Sequence, residues 1–437
     1  MTPPAYLRLK PIVQLLSLAV AGFLLTHDAA GQATAAARPR LDLSRLVVVG
    51  DSLLAGFQNN SLAASQQVHA IAEVIARQAN VELPLPLIAD PGIPNMLQLL
   101  NPGPPTQIAP APGYSTGRIN PLLQPMNLAV PGHSVREALE ERPDVPFDSL
   151  TDLILGLPGL LQGVSRSQVG WAEALQPTAI IVWIGAVDTL GAALNGDASL
   201  VTPDAEFTAA YTELMDRLAA TGAALVVANL PDVTVIPYLT SAEQVASTIG
   251  LPAATIAAAL GIRPGDFVTP DAFPIIPAIL TGAQAGPLPA NVVLNAGDVA
   301  IIRAATARLN AFIAAKAAEK GAALVDTHAL LNSFHSKGIV VGGQRLTTTF
   351  LGGIFSLDGF HPTNTAAAVT ANAFIKVMNQ RLRAGIPPVN VRYVAAEDPL
   401  VLPGVGHPAS CRKTVHPETG KSMRAILAPR SARPKNH

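Results

Sequence analysis

The chain has 437 residues, of which 49% are hydrophobic but only 14% charged and 4% aromatic, so small aliphatic side chains carry the apolarity. That length suits one large or two modest domains with a sizeable core. A net charge of −1 argues against the clustered basic surface that nucleic acid requires, and a single Cys excludes a disulfide framework or a multi-cysteine metal site.

At the start, Arg8 and Lys10 precede an apolar stretch, Ile12–Leu25, and the small residues Ala29, Ala30 and Gly31 follow. This order predicts a secretory signal peptide over residues 1–31, because about 14 apolar residues fall short of the roughly 20 that span a bilayer. The expected product is exported, to the periplasm or beyond, with no stable membrane span after cleavage. A linker, 32–42, leads into one catalytic-sized domain, 43–400.

Within that domain, short apolar runs read as buried strands at Leu46–Val49, Met126–Val130, Ala179–Ile184, Leu225–Asn229 and Ala323–Val325. Helical patterning falls at Ala63–Gln78, Thr202–Ala220, Asp298–Lys320 and Thr365–Arg383. Alternating strands and helices predict an α/β fold: three layers, doubly wound around a mainly parallel five-stranded sheet. Two insertions interrupt it. Pro84 to Pro125 holds eleven prolines and four glycines and reads as an irregular excursion. Residues 236–295 read as short helical pieces forming a cap. From about Val401 to 437 the chain turns Pro-rich and basic, with seven Lys or Arg against Glu418 alone, and reads as a disordered tail.

The first strand runs straight into Gly50-Asp51-Ser52-Leu53. A Ser directly after a buried strand sits at the carboxyl edge of the sheet, where ligands bind in open α/β folds. Its hydroxyl is a poor nucleophile and needs a base. Nine His are present. His27 falls in the signal segment, His407, His416 and His437 fall in the tail, and His69 lies within an amphipathic helix. Of the remaining four, His133, His328, His335 and His361, only His361 has an Asp three residues before it and a Pro after it: Asp358-Gly-Phe-His361-Pro362. That combination arises by chance only about 0.03 times in such a chain. Asp358 would orient the imidazole and stabilise its cation, completing a nucleophile, base and orienter set. A rival nucleophile, Ser134 in Gly132-His133-Ser134-Val135-Arg136, lacks the closing Gly of a nucleophile elbow, and a helix N-cap is the plainer role for it.

These blocks resemble the GDSL, or SGNH, family of esterases and lipases, over roughly residues 43 to 383. The resemblance implies a flavodoxin-like SGNH hydrolase fold, with Ser52 as nucleophile and Asp358 and His361 from one loop as its partners. It also implies that Gly132, in Asn127-Leu-Ala-Val-Pro-Gly132, gives a backbone N–H to the oxyanion hole beside that of Ser52. The family's third block, Gly-x-Asn-Asp, stands here as Gly185-Ala186-Val187-Asp188, and Val187 has no side-chain donor to offer. Losing one such donor typically costs about 3–4 kcal/mol, or 10²–10³ in rate. Asn195 or Asn127 is a candidate to reach in and replace it. Asp188 reads as a residue that holds its loop, and Asp51, Leu53, Val187 and Asp188 are the pocket candidates.

The resulting expectation is an exported serine esterase acting on small-molecule, lipid or glycan esters through an acyl-enzyme, without metal or cofactor. Two alternatives stand beside it: a carbohydrate deacetylase or thioesterase, and a binding protein on the same fold whose chemistry is impaired by Val187. Fold alone does not choose among them. The near-zero net charge is itself a sum of unlike parts, since residues 32–400 hold 20 basic and 28 acidic side chains.

Overall fold

Four aliphatic runs build the central sheet: β1 (Leu46–Gly50), β2 (Ala179–Trp183), β3 (Ala224–Ala228) and β4 (Ala323–Val325). They pair in parallel in the order β1-β2-β3-β4. Every residue of β1 and β2 is buried, as strands covered on both faces must be. The computed structural model describes residues 40–103, 106–401, 415 and 417–428. The expected signal peptide, most of the linker and the rest of the tail lie outside the described residues.

The fifth expected strand, Met126–Val130, is present as an irregular one. It runs parallel to β1 on the side away from β2. Val48 N–H donates to Met126 O (2.9 Å), Leu128 N–H to Val48 O (2.9 Å) and Val130 N–H to Gly50 O (3.1 Å). The ladder is incomplete for a local reason. Prolines flank the segment, and Asn127 places its own side chain between Leu54 O and Ala129 N–H, at 2.9 and 3.1 Å. Taken with it, the spatial order follows the doubly wound 2-1-3-4-5 pattern, whose switch point lies between β1 and β2.

The helices are α1 (Ser52–Ala55), α2 (Ile71–Ala79), α3 (Val135–Glu140), α4 (Gln168–Ala174), α5 (Val187–Asn195), α6 (Asp204–Ala220), α7 (Ala296–Glu319), α8 (Thr327–Lys337), α9 (Asn364–Leu382) and α10 (Pro417–Leu427). Right-handed crossovers require the connections on the two sides of β1 to cover opposite faces. Accordingly α2 packs on α9, while α6 packs against α3, α4 and α7. The helix expected over Ala63–Gln78 is broken into Ala64–Gln67 and α2. Gln67 causes the break: its buried amide is held by Pro86 O (3.1 Å) and Ile88 N–H (2.8 Å). His69 therefore sits in a turn, not inside a helix.

Both insertions are more ordered than their composition suggests. The first contains an antiparallel hairpin, Leu97–Asn101 with Gln107–Pro110. Buried Arg118 fastens it, donating to Leu157 O (2.5 Å), Leu153 O (3.3 Å), Ile154 O (3.4 Å) and Leu123 O. The second folds around its own apolar cluster, which includes Val245, Ile256, Leu260, Val268 and Ile276.

The tail departs from expectation over residues 417–428. Those residues form α10, which packs against the domain with Thr419 and Met423 fully buried. Charge counting missed an amphipathic pattern: Thr419, Met423 and Ile426 recur every three or four residues on one face.

Arg118→Lys keeps the charge and loses the fork that serves several carbonyls, so it should destabilise the protein by about 1–3 kcal/mol. Limited proteolysis should then cut faster within 84–125; an unchanged cleavage rate would show that Arg118 does not staple that excursion.

Candidate active site

The β1 strand ends at the switch point, and the chain turns at once into α1. Asp51 caps that helix, its Oδ1 accepting from Leu53 N–H at 3.0 Å, and Ser52 is the first helical residue. Ser52 is only 6% exposed. Just beyond, Asn59 and Asn60 adopt left-handed backbone, with φ of 51° and 61°, which makes a tight turn.

That turn grips the loop bearing Asp358 and His361. Asn59 N–H donates to Ser356 Oγ (3.0 Å), Leu357 N–H to Asn59 Oδ1 (3.0 Å), and Gln58 Nε2 to Pro362 O (3.0 Å). Asn60 N–H donates to Asp358 Oδ2 at 2.9 Å. The other oxygen of Asp358 accepts from the N–H groups of Phe360 (2.8 Å) and His361 (2.9 Å). His361 Nδ1 lies 2.9 Å from Asp358 Oδ2. Burial alone would raise the Asp358 pKa, but the His361 charge and these hydrogen bonds together hold it below the ordinary carboxylate value. With Nδ1 engaged, Nε2 is the nitrogen left for chemistry. The ring also packs on Phe57, with centroids 4.9 Å apart.

Gly132 follows the irregular strand in a left-handed turn, at φ 87°. Behind it His133 is completely buried in a relay. Gly50 N–H donates to Gln168 Oε1 (3.0 Å), so Gln168 Nε2 donates to His133 Nδ1 (3.0 Å). The ring proton then sits on Nε2, which donates to Thr151 Oγ1 (3.0 Å), and Thr151 in turn to Glu141 Oε1 (2.6 Å). This relay ties the strand before Ser52 to the loop of Gly132.

One cavity collects Ser52, His361, Asp51, Leu53 and Val187. Its remaining walls are almost entirely apolar, among them Leu190, Val233, Ile236, Leu331 and Phe334. Three predicted residues are not on its lining, one of them Asp358, which stands behind His361. Asp188 is buried beside it, where its Oδ2 accepts from Val135 N–H (3.1 Å) at the start of α3. Gly132 instead faces α10: a Cβ built on it would fall 2.6 Å from Ile426 O.

Neither asparagine proposed as a substitute donor is available. Asn195 Nδ2 donates to Gly191 O (2.8 Å) within α5, and Asn127 is spent on the irregular strand. Ser134 is the N-cap of α3 in a reciprocal capping box with Glu137. His328 and His335 pair with Leu230 O and Thr348 Oγ1, with no carboxylate in the bond. No group of three or more His, Cys, Asp or Glu among the described residues is arranged to hold a metal ion.

Sequence reasoning did not find Gln58, Asn59, Asn60, Thr151 or Gln168. The Asn59-Asn60 dipeptide was a visible signal, since Asn tolerates left-handed backbone. Gln168 and Thr151 gave none, because their partners are remote in sequence.

Residues 46–374 match the family described as GDSL-like Lipase/Acylhydrolase. No curated protein matches the chain in sequence. Two solved structures are similar. One is described as the crystal structure of TesA, at 13% identity and a TM-score of 0.31, covering 77% of this chain and 99% of its own. The other is the psychrotrophic esterase EstA from Pseudoalteromonas sp., inhibited by monoethylphosphonate, at 11% identity and a TM-score of 0.30, covering 78% and 99%.

Asp51 is strongly perturbed by its surroundings. Burial, reinforced by the Asp188 charge and opposed by Leu53 N–H and the His361 charge, pushes its carboxyl up to about 7 from 3.8. Its Oδ2 is buried without a partner. Between those two pH values the folded chain holds a proton that the unfolded chain releases, so stability falls as pH rises from about 4 to about 7. Asp51→Asn should flatten that slope in urea unfolding, gaining on the wild type at pH 8 relative to pH 4. An unaltered slope would assign the pH dependence to Asp188, whose carboxyl burial raises to about 6.

Proposed function

This chain belongs to the GDSL-like lipase and acylhydrolase family, and from that membership we propose that it is an exported serine esterase for carboxylic esters with aliphatic acyl groups. One observation carries the reading: Ser52 and His361 line a single apolar cavity, and His361 is held from behind by Asp358 at 2.9 Å. In the proposed mechanism, His361 Nε2 takes the Ser52 proton as Oγ attacks the ester carbonyl carbon. The Ser52 and Gly132 N–H groups receive the oxyanion. Collapse expels the alcohol, which takes the proton back from His361, and leaves an acyl-serine. Water, deprotonated by His361, then adds to that ester and releases the acid and free Ser52. Asp358 stabilises the imidazolium throughout and keeps its tautomer.

The substrate class follows from the walls. A pocket with so few polar groups recognises a hydrocarbon chain better than the hydroxyls of a sugar, which favours an aliphatic ester over an acetylated glycan. Export is supported by residues 1–31, where a basic start, an apolar stretch and small residues occur in the order of a signal peptide. No helix among the described residues is long and apolar enough to cross a membrane.

A fluorophosphonate probe tests the nucleophile. The wild type should be labelled on Ser52 and Ser52→Ala should not; an unlabelled wild type would favour a binding protein on this fold. Val187→Asn tests the oxyanion hole, because Val187 begins α5 on the cavity wall and neither Asn127 nor Asn195 reaches in. Restoring that donor should raise kcat on a short p-nitrophenyl ester by about 10- to 100-fold. An unchanged kcat would mean that another group already serves the oxyanion.

A further inference from the structure

The C-terminal segment touches both halves of the candidate site. Val415 lies against Gly359, between Asp358 and His361: a Cβ on that glycine would fall 2.6 Å from the valine methyl. One turn into α10, Ser422 Oγ accepts from Asn60 Nδ2 at 3.1 Å, and the same Asn60 gives its N–H to Asp358. A turn later, Ile426 presses its carbonyl and side chain on Gly132. One short stretch therefore spans the acid–base loop, the turn that grips it and the glycine assigned to the oxyanion.

The cavity supports the same picture from the other side. No residue of α10 contributes to its lining, and Gly132 is missing from it. Ser52 and His361 are only 6% and 2% exposed, and Ile426 of α10 lies against Gly132. Side-chain polar contacts also hold α10. Its polar attachments include one ion pair, Arg424 to Asp271 at 2.5 Å, with both side chains about a quarter exposed, and bonds from Arg424 to Tyr238 Oη and Leu194 O at 3.3 and 3.4 Å. Asp271 belongs to the second insertion, so the latch joins the cap region to the catalytic loops.

We propose that α10 is an autoinhibitory cover seated on the oxyanion side of the site, latched by Arg424 and Asp271, and that it lifts for an ester to reach Ser52. The proposal rests on the reading of Ser52 as nucleophile. In the covered state the apolar cavity is formed while Ile426 lies against Gly132. Lifting α10 frees Gly132 and leaves the partners of Asp358 and His361 in place, since their hydrogen bonds come from Asn60 N–H and from their own loop.

The test compares rates of Ser52 labelling by a fluorophosphonate in the full chain, in Arg424→Ala and in a chain ending at Val401, with Ser52→Ala as blank. Arg424→Ala should label about fivefold faster, the factor a partly exposed ion pair contributes to an opening equilibrium. The shortened chain should label faster still. Equal rates in full chain and Arg424→Ala, with thermal unfolding showing both folded, would overturn the cover. Slower labelling of folded Arg424→Ala would overturn it too, making α10 a support for the site. If the shortened chain does not fold, Arg424→Ala decides alone. Absence of labelling in every protein would reject the nucleophile itself, and the cover with it.

Discussion

A carboxylate removed from water must be surrounded by donors, and the fold around Asp358 meets that demand from two distant parts of the chain. Three backbone N–H groups and the His361 ring satisfy it. Two of the N–H groups come from its own loop, but the third comes from Asn60, 298 residues away. Leaving any of these unmade would strand part of a buried charge, at a penalty of several kcal/mol. The turn after Ser52 is therefore bound to the loop bearing His361, and the helix that Ser52 begins inherits its position from a requirement set by Asp358.

A second constraint fixes the opposite side of Ser52. The relay from Gly50 through Gln168, His133 and Thr151 to Glu141 is buried along much of its length, and each member satisfies the next. Fully satisfied buried networks of this kind are rigid, because breaking one link exposes a partner to unmet desolvation. Asp51 is an exception: one of its oxygens is buried with no partner among the described residues, and its carboxyl is pushed towards the neutral form. Beside it, Val187 places an apolar surface on the cavity wall. The site thus combines a firmly held Asp358–His361 pair with dry walls.

The elements that position this site were largely legible, because their signals are local. The strands before Ser52, and at Ala179, Leu225 and Ala323, announce themselves as unbroken aliphatic runs, which only a sheet covered on both faces can use. The Asp-x-x-His spacing was visible because Asp358 and His361 share one loop. The helix at Ala63–Gln78 was misjudged because Gln67, which looks like an ordinary surface residue, is drawn inward by Pro86 and Ile88. The tail at 417–428 was misjudged because net charge outweighed an eight-residue apolar spacing whose partner surface is assembled from Gly132, Asn60 and Tyr238.

Taken alone, the sequence determined the sheet strands, the place of Ser52 directly after the first of them, the spacing of Asp358 and His361, and the apolar side chain at Val187. Each depends on residue type and short-range spacing, which the chain carries in plain order. The tertiary structure decided what surrounds them: that Asn60 completes the shell of Asp358, that His133 serves a relay, that Asn127 and Asn195 are committed elsewhere, and that α10 lies on Gly132. Apart from the Asn195 bond within α5, those facts rest on contacts between residues tens to hundreds of positions apart. Such contacts exist only once the core has closed, and no local pattern encodes them.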